Sequence, residues 1–234
     1  MRKNTYNQNS LLALSALAIL VGAMLSGPVS TGMVMIIRPQ PAWVDPAVFM
    51  SHYHWIQAIP FILGFALLFG SCFFVAIASS IASEGLHKTR ANLALITASV
   101  YATLISFNYI IQVAYVPMLV KSNQPMAGYL TMSNPSSVCW AIEMFGYLFQ
   151  GIAFWLLSPV FRANKHGSMI QWLLVVNLIL SVGGAVAACI DVAWAMKPFG
   201  LIMFVVWNLV LAVLMGTIAL DQKDSRIIFK SADH

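Results

Sequence analysis

Six long apolar stretches, each of about 20 residues or more, alternate with short polar loops along the chain. A run of that length is what an α-helix needs to cross the ~30 Å hydrocarbon core of a bilayer at 1.5 Å per residue. The pattern predicts helices over 11–37, 55–82, 93–120, 138–161, 170–189 and 199–220. The expected fold is therefore all-α, a polytopic helical bundle of six transmembrane helices in a single integral membrane domain spanning 1–234. Several of these segments exceed the crossing length, so tilt, kinks or protrusion must absorb the excess.

Composition agrees with this. Charged residues are 8% and hydrophobic residues 60% of the 234 residues, against about 25% charged in soluble domains. Too little polar surface remains to coat a globule. Six spans and their loops use up the length, which leaves no room for a separate extramembrane domain.

The loops fix an expected orientation. Lys and Arg number 9 on one side (Arg2, Lys3, Lys88, Arg90, Arg162, Lys165, Lys223, Arg226, Lys230) and 3 on the other (Arg38, Lys121, Lys197). Basic-rich loops stay cytoplasmic, so both termini are expected inside, in agreement with an even number of crossings. The basic residues form no continuous stripe with interleaved exposed aromatics, so the net charge of +5 argues for membrane topology and not for nucleic acid. Met1-Arg-Lys followed by an apolar run looks like the start of a signal peptide. No Ala-x-Ala site follows, however, and the run continues past Gly27-Pro28 to Ile37, so an uncleaved first helix is expected. No internal repeat relates the two halves. Cys72, Cys139 and Cys189 lack metal or disulfide spacing and read as apolar filler.

Glu143 is the one charged residue well inside a span. An acidic group there costs about 2.5 to 3.5 kcal/mol to insert, which marks it as the first candidate for function. Polar and small residues recur at helical spacing on three spans: Tyr101, Asn108, Gln112 and Tyr115 on the third; Glu143, Gly146, Tyr147 and Gln150 on the fourth; Asn177, Ser181, Gly184, Ala188 and Asp191 on the fifth. Lipid offers no hydrogen-bond partner, so three faces should turn inward. With the termini inside, Glu143 lies ~8 Å, Gln112 ~10 Å and Asn108 ~16 Å below the outer ends of their helices. Gln57 and Asp191 lie near the same boundary. Pro28, Pro60 and Pro117 fall in the outer parts of their helices, where each removes a backbone donor and bends the chain. Together these point to an outward-facing polar vestibule.

In the first outer loop His52 and His54 are two apart, so an extended backbone would aim both imidazoles one way, with Asp45 as a third weak metal candidate. Trp43, Trp55, Trp140 and Trp194 read as an interfacial aromatic belt. No Gly-x-Ser-x-Gly, His-Glu-x-x-His, P-loop or Gly-x-Gly-x-x-Gly motif occurs, and no histidine lies deep in a span. Enzyme activity is disfavoured and no cofactor is expected.

The long first outer loop, Phe145-Gly-Tyr-Leu-Phe in the fourth helix, the short basic turn Arg162 to Gly167 and the Gly-rich fifth helix resemble uncharacterised six-pass membrane proteins of bacteria. The resemblance implies a bacterial inner-membrane setting and assigns no residue a role. The leading expectation is binding or transport of a small solute, proton or cation, with Asn108, Gln112, Glu143, Asp191, Gln57 and Tyr147 as ligand-binding residues. The alternative is a structural or regulatory subunit meeting another copy or a partner subunit, for which the small-residue run Ala76 to Ser83 suits close helix approach. A third is a membrane-embedded lipid-modifying enzyme using His52, His54 and Asp45.

Overall fold

In a computed structural model the chain is all-helical, with 85% of residues in helices and no strand among the described residues. The structure describes the backbone of residues 2–82 and 85–231 and the side chains of 8–82 and 85–222. Among the described residues six helices are long and apolar enough to cross a membrane: α1 (Gln8–Ile37), α2 (Trp55–Ile81), α3 (Leu86–Lys121), α4 (Val138–Leu156), α5 (Gly167–Ile190) and α6 (Pro198–Gln222). Helices are the form that closes every backbone hydrogen bond within its own segment, which lipid demands.

The helix ends follow local chemistry. Asp45 accepts from the Val48 amide (2.8 Å) and opens a short loop helix, Pro46–His52, with Pro46 in its first turn. His54 accepts from the Ile56 amide at the start of α2 (3.3 Å), and Ser137 from the Cys139 amide at the start of α4 (3.2 Å). α3 begins seven residues earlier than the sequence predicts. Lys88 and Arg90 therefore sit on its first turns, where Lys88 Nζ donates to the Ser79 carbonyl (3.3 Å). Arg90 donates to the Trp155 carbonyl and to Ser158 Oγ (both 3.3 Å) while lying over the Trp155 ring. α4 ends at Leu156, and Ser158–Phe161 forms a separate 3-10 turn.

Each helix packs on its neighbours in sequence, and α6 returns to α1, so the six close into a ring. α1 and α2 approach most closely at Gly22, where a Cβ would lie 2.4 Å from the Leu67 backbone nitrogen. The α5–α6 seam is the least extensive of the six.

The two ends of the ring differ. At the end carrying Lys88, Arg90, Arg162 and Lys165 the centre is solid. Leu12, Ile19, Phe74, Phe154, Phe161 and Leu214 are buried in one continuous cluster. Phe74 packs edge-on against Phe154 (5.3 Å between centroids) and stacks on Phe161 (5.9 Å). Within Ala76–Ser83, Ala78 and Ser79 are buried in this interior while Ala76 and Ser80 are exposed, and Ser79 Oγ donates to the Ala91 carbonyl (3.2 Å). Ser83 lies outside the described residues, as do the side chains of Arg2, Lys3, Lys223, Arg226 and Lys230.

At the opposite end the two longer loops form a cap. The loop helices Pro46–His52 and Met126–Leu130 pack together, so tightly that a Cβ on Gly128 would fall 2.6 Å from Pro46. Phe49, Ala127, Met132 and Cys139 form a second apolar cluster beneath them. Ser133 Oγ donates to Gln40 Oε1 (2.9 Å), tying the loop after α3 to the loop after α1.

Candidate functional site

Beneath this cap lies a cavity of about 760 Å³, within the range that holds drug-sized ligands. Two features of the helices make room for it. α1 widens into a π-helical turn at Leu25–Val29, containing Pro28, and α3 does so at Ile111–Tyr115, just before Pro117. Proline lacks an N–H and its ring clashes with the carbonyl four residues back; a wider turn relieves both. π-turns are uncommon and concentrate at functional sites.

Glu143 on α4 is the one charged side chain among the described residues lining the cavity. Behind it, Asn108 of α3 is fully buried and donates from Nδ2 to Glu143 Oε2 (2.7 Å) and to Met132 Sδ (3.3 Å). Tyr147, one turn along from Glu143, shares a hydroxyl–hydroxyl hydrogen bond with Tyr109 of α3 (3.0 Å). It also packs against the Trp207 ring of α6 (4.8 Å between centroids). Below this level, buried Gln150 donates to Ser71 Oγ (2.8 Å) and Tyr101 OH (3.3 Å), joining α4 to α2 and α3. Such bonds between membrane helices contribute about 0.6 to 2 kcal/mol each.

Gln112 does different work from that expected of a ligand. Its Nε2 donates to the Leu130 carbonyl (2.9 Å) and its Oε1 accepts from the Met132 amide (3.1 Å), so both ends of the amide clamp the loop segment that roofs the cavity. Trp140 Nε1 holds the same segment through the Met132 carbonyl (3.0 Å).

Of the expected set, Glu143, Gln112, Gln57 and Tyr147 line the cavity, with Asn108 directly behind the carboxylate. Asp191 does not join them. α5 ends at Ile190, so the helical spacing that would carry Asp191 inward no longer applies. Its carboxylate caps the turn Val192–Met196 by accepting from the Ala193 amide (3.0 Å), and pairs with Lys197 (2.5 Å). The Lys197 hydrogen bond outweighs the opposing effect of burial and, with the Ala193 amide adding to it, holds this carboxyl below its usual range. Tyr115 also leaves its stripe and is 45% exposed. The π-turn inserts an extra residue and rotates everything beyond it, bringing Val116 to the cavity in its place.

The loop between α1 and α2 behaves differently from the extended strand considered above. His52 closes a helix, with Nδ1 against the Val48 carbonyl (2.9 Å), while His54 and Asp45 serve as helix caps. Among the described residues no group of three or more His, Cys, Asp or Glu gathers as a metal site.

Several lining residues were not singled out by the sequence pattern. Trp55 is exposed, as a belt residue would be, but Trp43, Trp140 and Trp194 turn into the cavity. Tyr53, Tyr109, Trp207 and Asn208 line it as well. Asn208 carried a usable signal, an amide within an otherwise apolar span. Tyr109 and Trp207 carried none, since aromatic residues suit lipid and core equally. Burial pushes the Tyr53 hydroxyl up to about 12, so it stays a neutral donor. The buried polar atoms Tyr53 OH, Trp194 Nε1, Trp207 Nε1, Ser181 Oγ and both ends of the Gln57 amide have no hydrogen-bond partner among the described residues. All belong to residues on the cavity wall.

No family model matches the chain, and neither curated proteins nor solved structures provide a match.

Proposed function

We propose that this is a bacterial inner-membrane protein, with both termini in the cytoplasm, that binds or moves a small solute through the Glu143 cavity. The observation that carries the reading is a single carboxylate set in the wall of a large cavity that the loop cap roofs and the opposite end of the bundle seals. A carboxylate in this wall with only neutral partners, Asn108 and Tyr147, and no basic lining neighbour is costly to keep. A cation or proton delivered to it offsets that cost. The unpartnered donors and acceptors on the same wall provide further ligand contacts, since buried polar groups normally find partners.

The orientation rests on the 9-to-3 distribution of Lys and Arg, which puts the cavity end outside. Loss of reporter activity from a cytoplasmic reporter fused after Asn123, together with activity after Lys165, is the expected pattern; activity at both would overturn it. The functional reading is tested with Glu143→Gln, which keeps shape and hydrogen bonding. Thermal stability of purified wild type and variant is compared between about pH 5 and 8, the range a membrane carboxyl can reach, with and without candidate solutes. The titratable neighbours are the phenols of Tyr101, Tyr109 and Tyr147 and the Cys139 thiol. A ligand- or pH-dependent response confined to wild type is expected. Identical profiles in both proteins would remove the basis for a solute site at Glu143.

A further inference from the structure

The cavity is not enclosed on all sides of the ring. α1 packs along α6 through its α-helical part up to Met24, then parts from it beyond the π-turn at Leu25–Val29. On the far side of α6 the seam with α5 is the weakest of the bundle. Four residues that line the cavity here are also on the outer surface of the bundle: Met35 of α1 (65% exposed), Ile179 (62%) and Gly183 of α5, and Leu201 of α6 (50%). The cavity thus reaches the lipid-facing surface on either side of the outer end of α6.

Its chemistry is also one-sided. Among the described lining residues there is one acidic group and no Lys, Arg or His, and the rest of the wall is mainly aromatic and aliphatic. Tyr147 and Trp207 present rings beside the carboxylate's helix. Trp207 is 8% exposed, with its Nε1 unpartnered. Aromatic faces and a carboxylate both attract a cation, most strongly where water is scarce.

We propose that the cavity takes its ligand from the bilayer, and that this ligand is an amphiphilic organic cation with its charged end at Glu143 and its apolar body among Trp207, Phe204 and Ile179. This rests on Glu143 marking a ligand site. A neutral solute would leave the carboxylate with neutral hydrogen-bond partners and no balancing charge. A hydrophilic cation would gain nothing from the apolar wall or the lateral opening.

The test uses the full chain in lipid nanodiscs and follows tryptophan fluorescence with three probes: tetraphenylphosphonium, tetraphenylborate and tetramethylammonium. Saturable binding of tetraphenylphosphonium is expected, with little or none for the other two, and Glu143→Gln should weaken it on the order of tenfold or more, as loss of a desolvated charge partner does. Gly183→Phe should slow association on the order of tenfold by narrowing the opening, since a Cβ there meets nothing within 4 Å. Ile179→Trp is a second narrowing variant should the first not fold. Glu143-dependent binding of tetramethylammonium alone would keep the solute site but overturn the amphiphile. Equal binding of tetraphenylphosphonium and tetraphenylborate would overturn charge selection and point to a site for acyl chains. Unchanged association rates in both narrowed variants would overturn the lateral route. Binding by none of the probes would overturn the amphiphilic cation and leave the solute reading to its own test with Glu143→Gln.

Discussion

The two ends of this bundle are made from the same six helices and the same residue types, yet one is packed solid and the other is hollow. At the sealed end, straight α-helices bring Phe74, Phe154 and Phe161 into one stack and small residues such as Ala78 and Ala94 let the backbones approach. At the capped end, α1 and α3 are interrupted by π-turns, one containing Pro28 and the other just before Pro117, and loop segments cover the cavity beside them. In a bilayer, apolar content does not by itself drive helices together; van der Waals fit and interhelical hydrogen bonds do. A hollow is therefore tolerated where polar clamps and a cap replace side-chain packing.

The sharpest way to break this contrast is to remove a ring from each end. Phe74→Ala, at the centre of the sealed end, should destabilise the protein by about 3 to 5 kcal/mol, read as a large drop in thermal midpoint in detergent. Phe204→Ala, on the exposed cavity rim, should cost less than about 1 kcal/mol. Equal losses would mean that the capped end is packed as fully as the sealed one.

The cap is the next target. Gly128→Val places a side chain against Pro46, and overpacking of this kind costs about 1 to 3 kcal/mol. Gln112→Leu strips the clamp from the Leu130 carbonyl and Met132 amide, at about 1 to 3 kcal/mol for buried groups left unpaired. Both variants should also raise the reactivity of Cys139, buried beneath the cap, towards a small thiol reagent in reconstituted protein. Unchanged labelling would show that the cap does not control access.

A smaller effect is expected from Glu143→Gln, which exchanges a carboxylate for an amide of the same shape beside Asn108. Folding should be unchanged or slightly stabilised because the cost of burying a charge disappears, with the consequence confined to ligand response. A large loss of thermal stability would make Glu143 part of the packing.

The smallest effect belongs to Asp191→Asn. Its carboxyl is held below the usual range by Lys197, so the ion pair adds stability above the unfolded-state pKa and loses it only as pH falls through the lowered folded value. The pair is exposed to solvent and screened. The small difference in thermal midpoint between wild type and Asp191→Asn should stay constant between pH 5 and 8 and shrink only in more acid solution. A difference that grows on approaching pH 8 would contradict this sign.

The sequence by itself determined that six helices form and roughly where they lie, because crossing length and hydropathy are local properties that lipid enforces on each segment alone. It also identified Glu143 and the inward faces of the third and fourth spans, since polar side chains in lipid have one direction to turn. It failed where the regular helical period failed: the π-turn in α3 sent Tyr115 outward, and the end of α5 at Ile190 took Asp191 out of its stripe. Only the tertiary structure decided that Trp43, Trp140, Trp194 and Trp207 wall a cavity, that Gln112 serves the backbone of a distant loop, and that α1 parts from α6. Those outcomes depend on how neighbouring helices tilt and which loops meet above them, and nothing local to an indole or an amide encodes its partner 20 residues away.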